Sequence, residues 1–548
     1  MQAWVKDLIE YSEKLFTQRG SVVATWQESA ENFMPELADF MATRYTGADY
    51  AANLVTSHPL LVARDLTNII DSMLRPPNKW FFIETDQGDK IDMDGQRWCE
   101  WATGVQYRVM NDKQAGFKKA TSLADKFYVL TGQAAIAPDI NWQNTTYLYR
   151  TPHLRDIVWC EDDAGNIDRV DRKWFPTARD LEKRFGDKIH KNVREKLVKD
   201  PHGTVNCKKI HMTADQYQGD KKLKPGFQYV TLIVDTDNQH LMEVSEHVTL
   251  GVVIPRWATL PGTQYSMSPA VWAALPEARL MQSITLTLLQ AGEKAVDPPV
   301  TIPEGVLRGD IQTYAGGINI YDSEYDEGTG QVMRPINIDK TGLQFGLEMQ
   351  NRSAVTLMNA FFLDKLNLSP IDKDMTAYQV SQIMQDNMRK VLTLMGPTED
   401  EYNGQLCDVT FRDLRQVGAF GPEEDWPDSV RGSKIKFKFE SPLHKSIERE
   451  KGQHFIEAQG LIAQAAATDQ AAPAMINARK ALREALLGIG TPADWIRSDD
   501  EMEEIEQQQR QQQQMAQAIA SIGQGAAAAE QVGKAGQALQ GMSLGGGV

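Results

Sequence analysis

The first 75 residues alternate apolar and polar positions with the spacing of helices. Trp4 and Leu8 lie four residues apart, and the stretch LVARDLTNIIDSML at 61 to 74 keeps the same period. Such spacing draws one apolar stripe down a cylinder. Pro76-Pro77 follows, and proline ends a helix because it lacks a backbone donor and clashes with the preceding turn. The pattern therefore predicts helices before residue 76 and a strand in the following KWFFIETD.

The pattern changes between about residues 125 and 260, where short apolar runs are separated by turn residues. GQAAIAPDI, YVTLIVDT and HVTLGVVIPRW are rich in the residues that strands favour. Asp163-Ala164-Gly165-Asn166 separates two alternating runs and predicts a hairpin turn. A helical pattern starts near Thr177 and ends near Phe185. This part of the chain is typical of an α+β fold.

A long apolar stretch at 268 to 299 contains one ambiguous run. Residues 284 to 288 alternate like a strand, but no turn signal occurs between Pro276 and Gly292. An uninterrupted run of about 20 residues fits a helix of about 30 Å better than a strand of typical length. We therefore predict a helix here, a small β-containing excursion at 297 to 338, and a second helix at about 340 to 362.

A polar loop and then a regular helix occupy residues 361 to 397. The loop from Asp364 to Asp374 mixes lysines with aspartates, which by itself is typical of an ordinary solvated connection. Thr376 and Gln379 form a T-x-x-Q capping box, in which each side chain satisfies a backbone donor of the other residue. Apolar residues then keep a helical spacing until Gly396-Pro397 ends or kinks the helix.

After Pro397 the sequence pattern predicts a helix through Val417 and a short strand at KIKFKFE. It then predicts further helices from 443 to 507 with a break at GIGTPADW. Runs of Gln and Ala make the tail after 507 low in complexity, which is typical of helix at its start and disorder at its end.

Composition limits the class of protein. With 548 residues, of which 42% are hydrophobic and 24% charged, the chain fits a globular protein of more than one domain. Its formal net charge of −16 argues against a surface that binds phosphate over its whole extent. No run approaches the roughly 18 consecutive apolar residues that span a bilayer, and the acidic start differs from a signal peptide. We expect a protein of cytosolic origin with no membrane partner.

Motifs for catalysis, cofactors and metals are absent. The sequence contains no G-x-x-x-x-G-K-[ST], H-E-x-x-H or G-x-S-x-G motif. GIGTPA at 488 to 493 resembles part of a dinucleotide fingerprint, but Pro492 and the lack of a preceding strand favour a turn between helices. His202, Cys207 and His211 lack a fourth ligand, and the four cysteines lie far apart. We predict no catalytic residue, cofactor, metal or disulfide framework.

Several segments follow one another in an order that one family shares. They are RGSVVATWQESAENFMP, DLTNIIDSMLRPPNKWFFIETD, AGNIDRVDRKWFPTARDLEKRFG, ARLMQSITLTLLQAGEKAVDPPVTIPEGV, YAGGINIYD, MTAYQV, SPLHKSIEREKG and LLGIGTPADWIRSDDEMEEIEQQQRQQQQ. In this order the chain resembles the portal proteins, or head-to-tail connectors, of short-tailed bacteriophages. The family usually has Thr-Ala-x-Glu-Val at MTAYQV, and Gln379 replaces the acid without losing the cap.

The resemblance implies an α+β portal fold with an α/β wing, a two-helix stem, a small β-containing clip, a helical crown and a low-complexity C-terminal tail. The implied boundaries are 1–265 for the wing, 266–296 for the first stem helix, 297–338 for the clip, 339–363 for the second stem helix, 364–375 for the tunnel loop, 376–440 for a wing helix and its continuation, 441–515 for the crown or a helical barrel, and 516–548 for the tail.

The resemblance also implies a function and a set of partners. Portals form rings, typically of twelve copies, at one capsid vertex, and DNA passes through the ring during packaging and ejection. The implied partners are other copies of the chain, double-stranded DNA without sequence readout, terminase, the major capsid protein and scaffold, and tail adaptor or nozzle proteins. The implied location is the virion, after assembly in the host cytoplasm. The packaging ATPase is a separate protein, so no catalytic site is needed.

On this interpretation the polar loop faces the channel. A ring of such acidic chains repels the DNA phosphates, so DNA can slide through it, while a few basic side chains of the protein touch the DNA backbone. We expect Lys365, Asn367, Ser369 and Lys373 to face the DNA, with Thr376 and Gln379 capping the helix that follows.

Two other classes of protein stay open. An enzyme such as a phage nuclease or virion hydrolase lacks a supporting motif, and a metal-dependent activity assay would detect it. Another structural component, a tail adaptor or a scaffold, is the second class. Adaptors are usually much shorter, and scaffolds are usually low in strand content, whereas residues 125 to 335 are rich in strand signals.

Overall fold

The computed structural model divides into two compact units. Unit 1 contains Met1–Ile83, Ala102–Asp425 and Lys436–His444, and unit 2 contains Glu84–Trp101, Trp426–Ile435 and Lys445–Val548. The structure describes residues 3–41, 45, 47–86, 91–141, 146–296, 298, 300–301, 334–335, 341–366, 398–439, 455–464, 477–489, 491, 495–497, 501–502 and 504–514.

Helices and antiparallel sheets alternate along the described chain. The helices are α1 (Ala3–Gln18), α2 (Gly20–Phe33), α3 (His58–Leu74), α4 (Met93–Met110), α5 (Phe117–Thr131), α6 (Ala178–Phe185), α7 (Lys191–Lys199), α8 (Leu275–Val296), α9 (Thr341–Ala360), α10 (Leu363–Leu366) and α11 (Gln405–Gln416). π-helical turns at Ala270–Ala274 and Glu399–Gly404 lead into α8 and α11. Further helix is described at 455–464, Ala478–Ile489 and 504–514.

Within the described ranges, the strands form one five-stranded sheet and three two-stranded sheets. The strands are β1 (Phe81–Thr85), β2 (Ala137–Asn141), β3 (Thr146–Arg150), β4 (Ile157–Glu161), β5 (Ile167–Trp174), β6 (Cys207–Thr213), β7 (Tyr229–Asp235), β8 (His240–His247), β9 (Val300–Thr301), β10 (Arg334–Pro335) and β11 (Ile435–Phe439). The five-stranded sheet has the order β4-β5-β6-β7-β8, and the pairs are β1-β11, β2-β3 and β9-β10.

The turn between β4 and β5 follows from its sequence. The Asp162 carboxylate accepts hydrogen bonds from the backbone N–H groups of Ala164, at 2.9 Å, and Asn166, at 2.8 Å. Gly165 has a φ of 82°, a conformation that glycine adopts without steric cost. The predicted hairpin turn at 163 to 166 is therefore confirmed.

The five-stranded sheet carries a helical layer on each face, because successive side chains of a strand point to opposite sides. On one face Val5 and Leu8 of α1 pack with Ile210 and Leu232. On the other face Leu181 of α6 packs with α7, Cys207 and Ile233, among other residues.

The largest core of unit 1 joins α2, α3 and α5 to the roots of α8 and α9. Trp26 and Phe33 of α2 are 1% and 0% exposed, and each such burial contributes roughly 2–3 kcal/mol. The ring of Phe33 lies edge-on to Phe361, with ring centroids 5.3 Å apart. The core therefore fixes the end of α9 against α2.

Unit 2 has a small core of its own. Met93 and Ile496 are buried and pack with Leu486. The rings of Trp98 and Trp426 lie 4.5 Å apart.

Most predicted elements are confirmed where the structure describes them. The ambiguous run at 284 to 288 lies within the helix α8, as its length predicted. The strand region was placed too early, because α5 continues to Thr131. Ten of its residues are buried, and an apolar stretch buried on several sides loses the helical period. The helices α4, α5 and α7 were not predicted. Most of 297–338 and the tail after 514 lie outside the described residues.

No helix among the described residues combines the length and the apolar character needed to cross a bilayer.

Thr177 caps α6, and its loss has a measurable cost. Its Oγ1 accepts a hydrogen bond from the backbone N–H of Asp180 at 3.2 Å. We expect Thr177→Ala to lower the free energy of unfolding by about 1 kcal/mol, measured by urea denaturation followed by circular dichroism. Thr287→Ala is the control, since that hydroxyl only donates back to the Ser283 carbonyl within α8 and contributes little. Equal stabilities of Thr177→Ala and wild type would contradict the capping role.

Candidate functional site

The residues predicted to face DNA lie almost entirely outside the described residues. The backbone of Lys365 belongs to the short helix α10, at the end of the α9 segment. Asn367, Ser369 and Lys373 fall between 367 and 397, which the structure does not describe, and so do Thr376 and Gln379. Their roles stay predictions.

The helices α8 and α9, which have 22 and 20 residues, pack as an antiparallel pair and are the two longest helices among the described residues. Gln350 donates to the Thr285 hydroxyl at 2.9 Å, and Ser353 donates to the Glu277 carboxylate. Near its outer end, a Cβ on Gly346 would lie 2.6 Å from Leu288 Cδ2. The absence of a side chain at Gly346 thus allows the helices to approach closely there.

The root of α8 is fixed to the core by polar contacts. Arg279 donates two hydrogen bonds to the Glu28 carboxylate, at 2.5 and 2.6 Å. The Gln282 side-chain oxygen accepts from the backbone N–H groups of Val55 and Thr56, at 2.9 and 3.0 Å. These contacts join the root of α8 to α2 and to residues 55–56.

Apolar side chains are exposed on two opposite faces of the α8–α9 pair. An α-helix has 3.6 residues per turn. On each helix, the residues to either side of those that contact the partner helix therefore form two flanks. One flank of the pair, the Leu289 face, carries Leu286, Leu289 and Leu347, which are 46%, 53% and 53% exposed. The opposite flank, the Phe345 face, carries Leu280, Phe345 and Met349, which are 43%, 66% and 37% exposed. Clustered exposed apolar residues mark surfaces that bind a partner.

A buried ionic network secures the chain just beyond the undescribed residues 367–397. Arg75 donates to the Asp125 carboxylate and, at 3.1 Å, to the Asn403 side-chain oxygen. The Tyr402 hydroxyl donates to Asp125 at 2.9 Å, and the Arg75 guanidinium lies 4.8 Å from the Tyr402 ring centroid. Tyr402 and Asn403 belong to the π-helical turn, so this turn is bound to α3 and α5.

Burial and ion pairing act in opposite directions on the two charges of the network. Burial alone lowers the pKa of Arg75, but the attraction of Asp125, Tyr402 and Asp71 together outweighs burial and leaves that pKa above its ordinary value. Burial raises the pKa of the Asp125 carboxyl, although Arg75 opposes it. Sequence reasoning missed the four residues of the network. The signal was an aspartate inside an apolar helical run, LADKFYVL, because a buried carboxylate needs a charged partner.

The weak metal-site candidate consists of His202, Cys207 and His211, and His211 has another contact. His211 Nδ1 lies 2.9 Å from the Thr231 hydroxyl. Within the described residues, no group of three or more His, Cys, Asp or Glu side chains is arranged to hold a metal ion.

Known proteins match the chain over most of its length. Two phage proteins are similar at low identity: a probable portal protein of Bordetella phage BPP-1, 21% identical over 78% of this chain and 77% of the relative, and a portal protein of Salmonella phage epsilon15, 20% identical over 80% and 78%. A neck chain from an empty GTA particle covers 76% of this chain and 92% of its own, with 12% identity and a TM-score of 0.31. The family model described as bacteriophage head to tail connecting protein matches residues 5–496. The chain therefore belongs to the bacteriophage head-to-tail connecting protein family.

Proposed function

We propose that this protein is a phage portal. Copies of the chain form a ring at one capsid vertex, and the ring is the channel through which DNA enters the head and later leaves it. The observation that carries the proposal is the match of the connector family to residues 5–496. The two portal relatives, which the chain matches over about four fifths of its length, support it.

The α8–α9 pair supplies a way to build a ring. A ring needs two different surfaces on each copy, so that one surface binds the other surface of the next copy and the rotation closes. The Leu289 face and the Phe345 face are such a pair, since they lie on opposite flanks of the same two helices. We assign α8 and α9 to the stem and the five-stranded sheet with its helices to the wing.

The assignment of α8 and α9 to the stem also places the tunnel loop in the chain. The chain enters residues 367–397 from α10 and leaves them at the π-helical turn, so the tunnel loop starts at the end of the second stem helix. Lys365, Asn367, Ser369 and Lys373 are proposed to touch phosphates without reading bases. The chain's net charge of −16 leaves the rest of the channel repulsive to DNA.

The remaining partners follow from the portal function. Residues 297–338 are proposed as the clip that terminase binds during packaging and that tail adaptor or nozzle proteins bind afterwards. The wing is proposed to meet the major capsid protein and scaffold while the head assembles in the host cytoplasm. The protein itself performs no catalysis in this scheme. Residues 441–515 are proposed as the crown and residues 516–548 as the C-terminal tail of the portal in the virion.

Electron microscopy of the purified chain, with native mass spectrometry of the same sample, tests the proposal. We expect rings with a central hole wide enough for a DNA duplex and a mass near twelve chains. If the purified chain stays monomeric, coexpression with the phage's scaffold is the second arm. Closed particles without a hole in both arms would contradict the portal function and favour an adaptor or scaffold role.

A further inference from the structure

A row of charged side chains crosses the face of the five-stranded sheet that packs on α6 and α7. Arg172 on β5 lies directly opposite Lys209 on β6. Lys209 is opposite Ile233 on β7, which is opposite Glu243 on β8. Directly opposed residues share one face of a sheet, and like charges in that position repel. The Arg172–Lys209 pair therefore has a cost that a bound anion would remove.

A third cation comes from the helix above the row. Arg184 of α6 lies over the ring of Trp174, 5.9 Å from its centroid, and Lys209 lies 5.1 Å from the same ring. Trp174 is two residues after Arg172 on β5, so it shares the face of the row. Arg184 and Lys209 thus contact one aromatic ring, and Arg172 lies two residues before that ring on the same face of β5.

The nearby carboxylates do not satisfy these cations. Lys209 Nζ is 3.7 Å from Asp139 Oδ2, and Arg184 Nη2 is 3.7 Å from Glu243 Oε2, beyond hydrogen-bond distance. Arg172 has no ion-pair partner among the described residues, and its buried Nε has no hydrogen bond there. Lys209 is 8% exposed. The three cations outnumber the two nearby carboxylates, Asp139 and Glu243, and Glu243 Oε2 also lacks a hydrogen bond among the described residues. Buried charges are normally paired.

We propose that Arg172, Arg184 and Lys209 form a binding site for an oxyanion on this face of the sheet. The ligand is a group with two or more clustered oxygen acceptors, either a free phosphate-like anion or a carboxylate side chain of a second copy. Its oxygens take the N–H groups that lack a partner, and Trp174 forms one wall. The site does not depend on the portal function, and its chemistry differs from that of the channel.

The environment of Lys209 gives the site a pH dependence. Burial, together with the positive charges of Arg184, Arg172 and Arg150, lowers the pKa of Lys209 to about 8, and Asp139 opposes them. Glu243, His211 and His247 face the same side of the sheet. A bound anion favours the protonated amine, so binding is strongest below the pKa of Lys209 in the free protein. It weakens as the pH rises above about 8.

Thermal unfolding in sulfate and in chloride at equal ionic strength tests the site. Sulfate is the probe because its charge is constant over this pH range. We expect the wild-type Tm to rise with low-millimolar sulfate and to saturate, as binding to the folded state requires. Lys209→Met and Arg172→Met should each raise the apparent Kd for sulfate at least about tenfold. Arg179→Gln removes an exposed charge from α6 and should leave the sulfate response unchanged.

Separate measurements on monomers and on assembled protein distinguish the two sources of the anion. A free anion predicts a sulfate response in both fractions and normal assembly of both methionine variants. A carboxylate from a second copy predicts a response in monomers alone and reduced assembly of the variants. Equal Tm values in sulfate and chloride for every fraction obtained, with normal assembly of the variants, would overturn the proposal. So would a sulfate response that Lys209→Met and Arg172→Met retain in full.

Discussion

Asp125→Ala is expected to lower the free energy of unfolding of the protein by about 3–5 kcal/mol, because it leaves the Arg75 guanidinium buried without its carboxylate. The Arg75 side chain is 4% exposed and that of Asp125 is 0% exposed. Tyr402 also loses the acceptor of its hydroxyl hydrogen bond. Two partners of Arg75 remain: the Asn403 amide, which is neutral, and the Asp71 carboxylate, which lies 3.5 Å away and is partly exposed. They compensate only in part.

Urea denaturation followed by tryptophan fluorescence measures this loss. Asp408→Ala is the matched control: it removes a carboxylate that pairs with Arg412 on the exposed side of α11, and an exposed pair contributes at most about 1 kcal/mol. The double variant Arg75→Met with Asp125→Leu should recover part of the stability, since apolar side chains can replace a buried ion pair. A cost below about 1 kcal/mol for Asp125→Ala would show that the network is solvated.

The sequence pattern predicted those helices and turns whose formation depends on residues within the element itself. Thr177 has the hydroxyl that caps the first turn of α6, and Gly165 has the freedom that its turn requires. The length of the run after Pro276 distinguished helix from strand without any knowledge of the tertiary structure. In each case the physical reason lies within a few residues of the element it explains.

The buried network and the anion site depend on residues that are distant in sequence. Arg75 and Asp125 are 50 positions apart, and Asp125 and Tyr402 are 277 apart. The opposition of Arg172 and Lys209 exists only in the register of β5 with β6. A periodic pattern reports which residues share a face of one element, but not which elements meet. The channel residues around Lys373 were inferred by resemblance to portals, and they remain predictions.

Leu289→Asp and Phe345→Asp are each expected to abolish ring assembly while leaving the fold intact. Both side chains are more than half exposed in the single chain, at 53% and 66%, so the folded copy tolerates the charge. In a ring the same position would bury an unpaired carboxylate and lose an apolar contact of roughly 2–3 kcal/mol. This cost recurs at every interface of the ring. Native mass spectrometry measures the loss, and unchanged thermal unfolding of the monomer shows that the fold survives.

Mixing the two variants tests whether the faces bind each other. If the Leu289 face of one copy binds the Phe345 face of the next, a Leu289→Asp chain keeps an intact Phe345 face, and a Phe345→Asp chain keeps an intact Leu289 face. The mixture should therefore form dimers with one good interface and stop there, because the second interface combines the two damaged faces. Val355→Asp, which places the same charge at a 58% exposed position on the side of α9 turned away from α8, should assemble like the wild type. Rings formed by either variant alone would exclude its face from the interface, and a mixture that stays monomeric would show that the two faces do not bind each other.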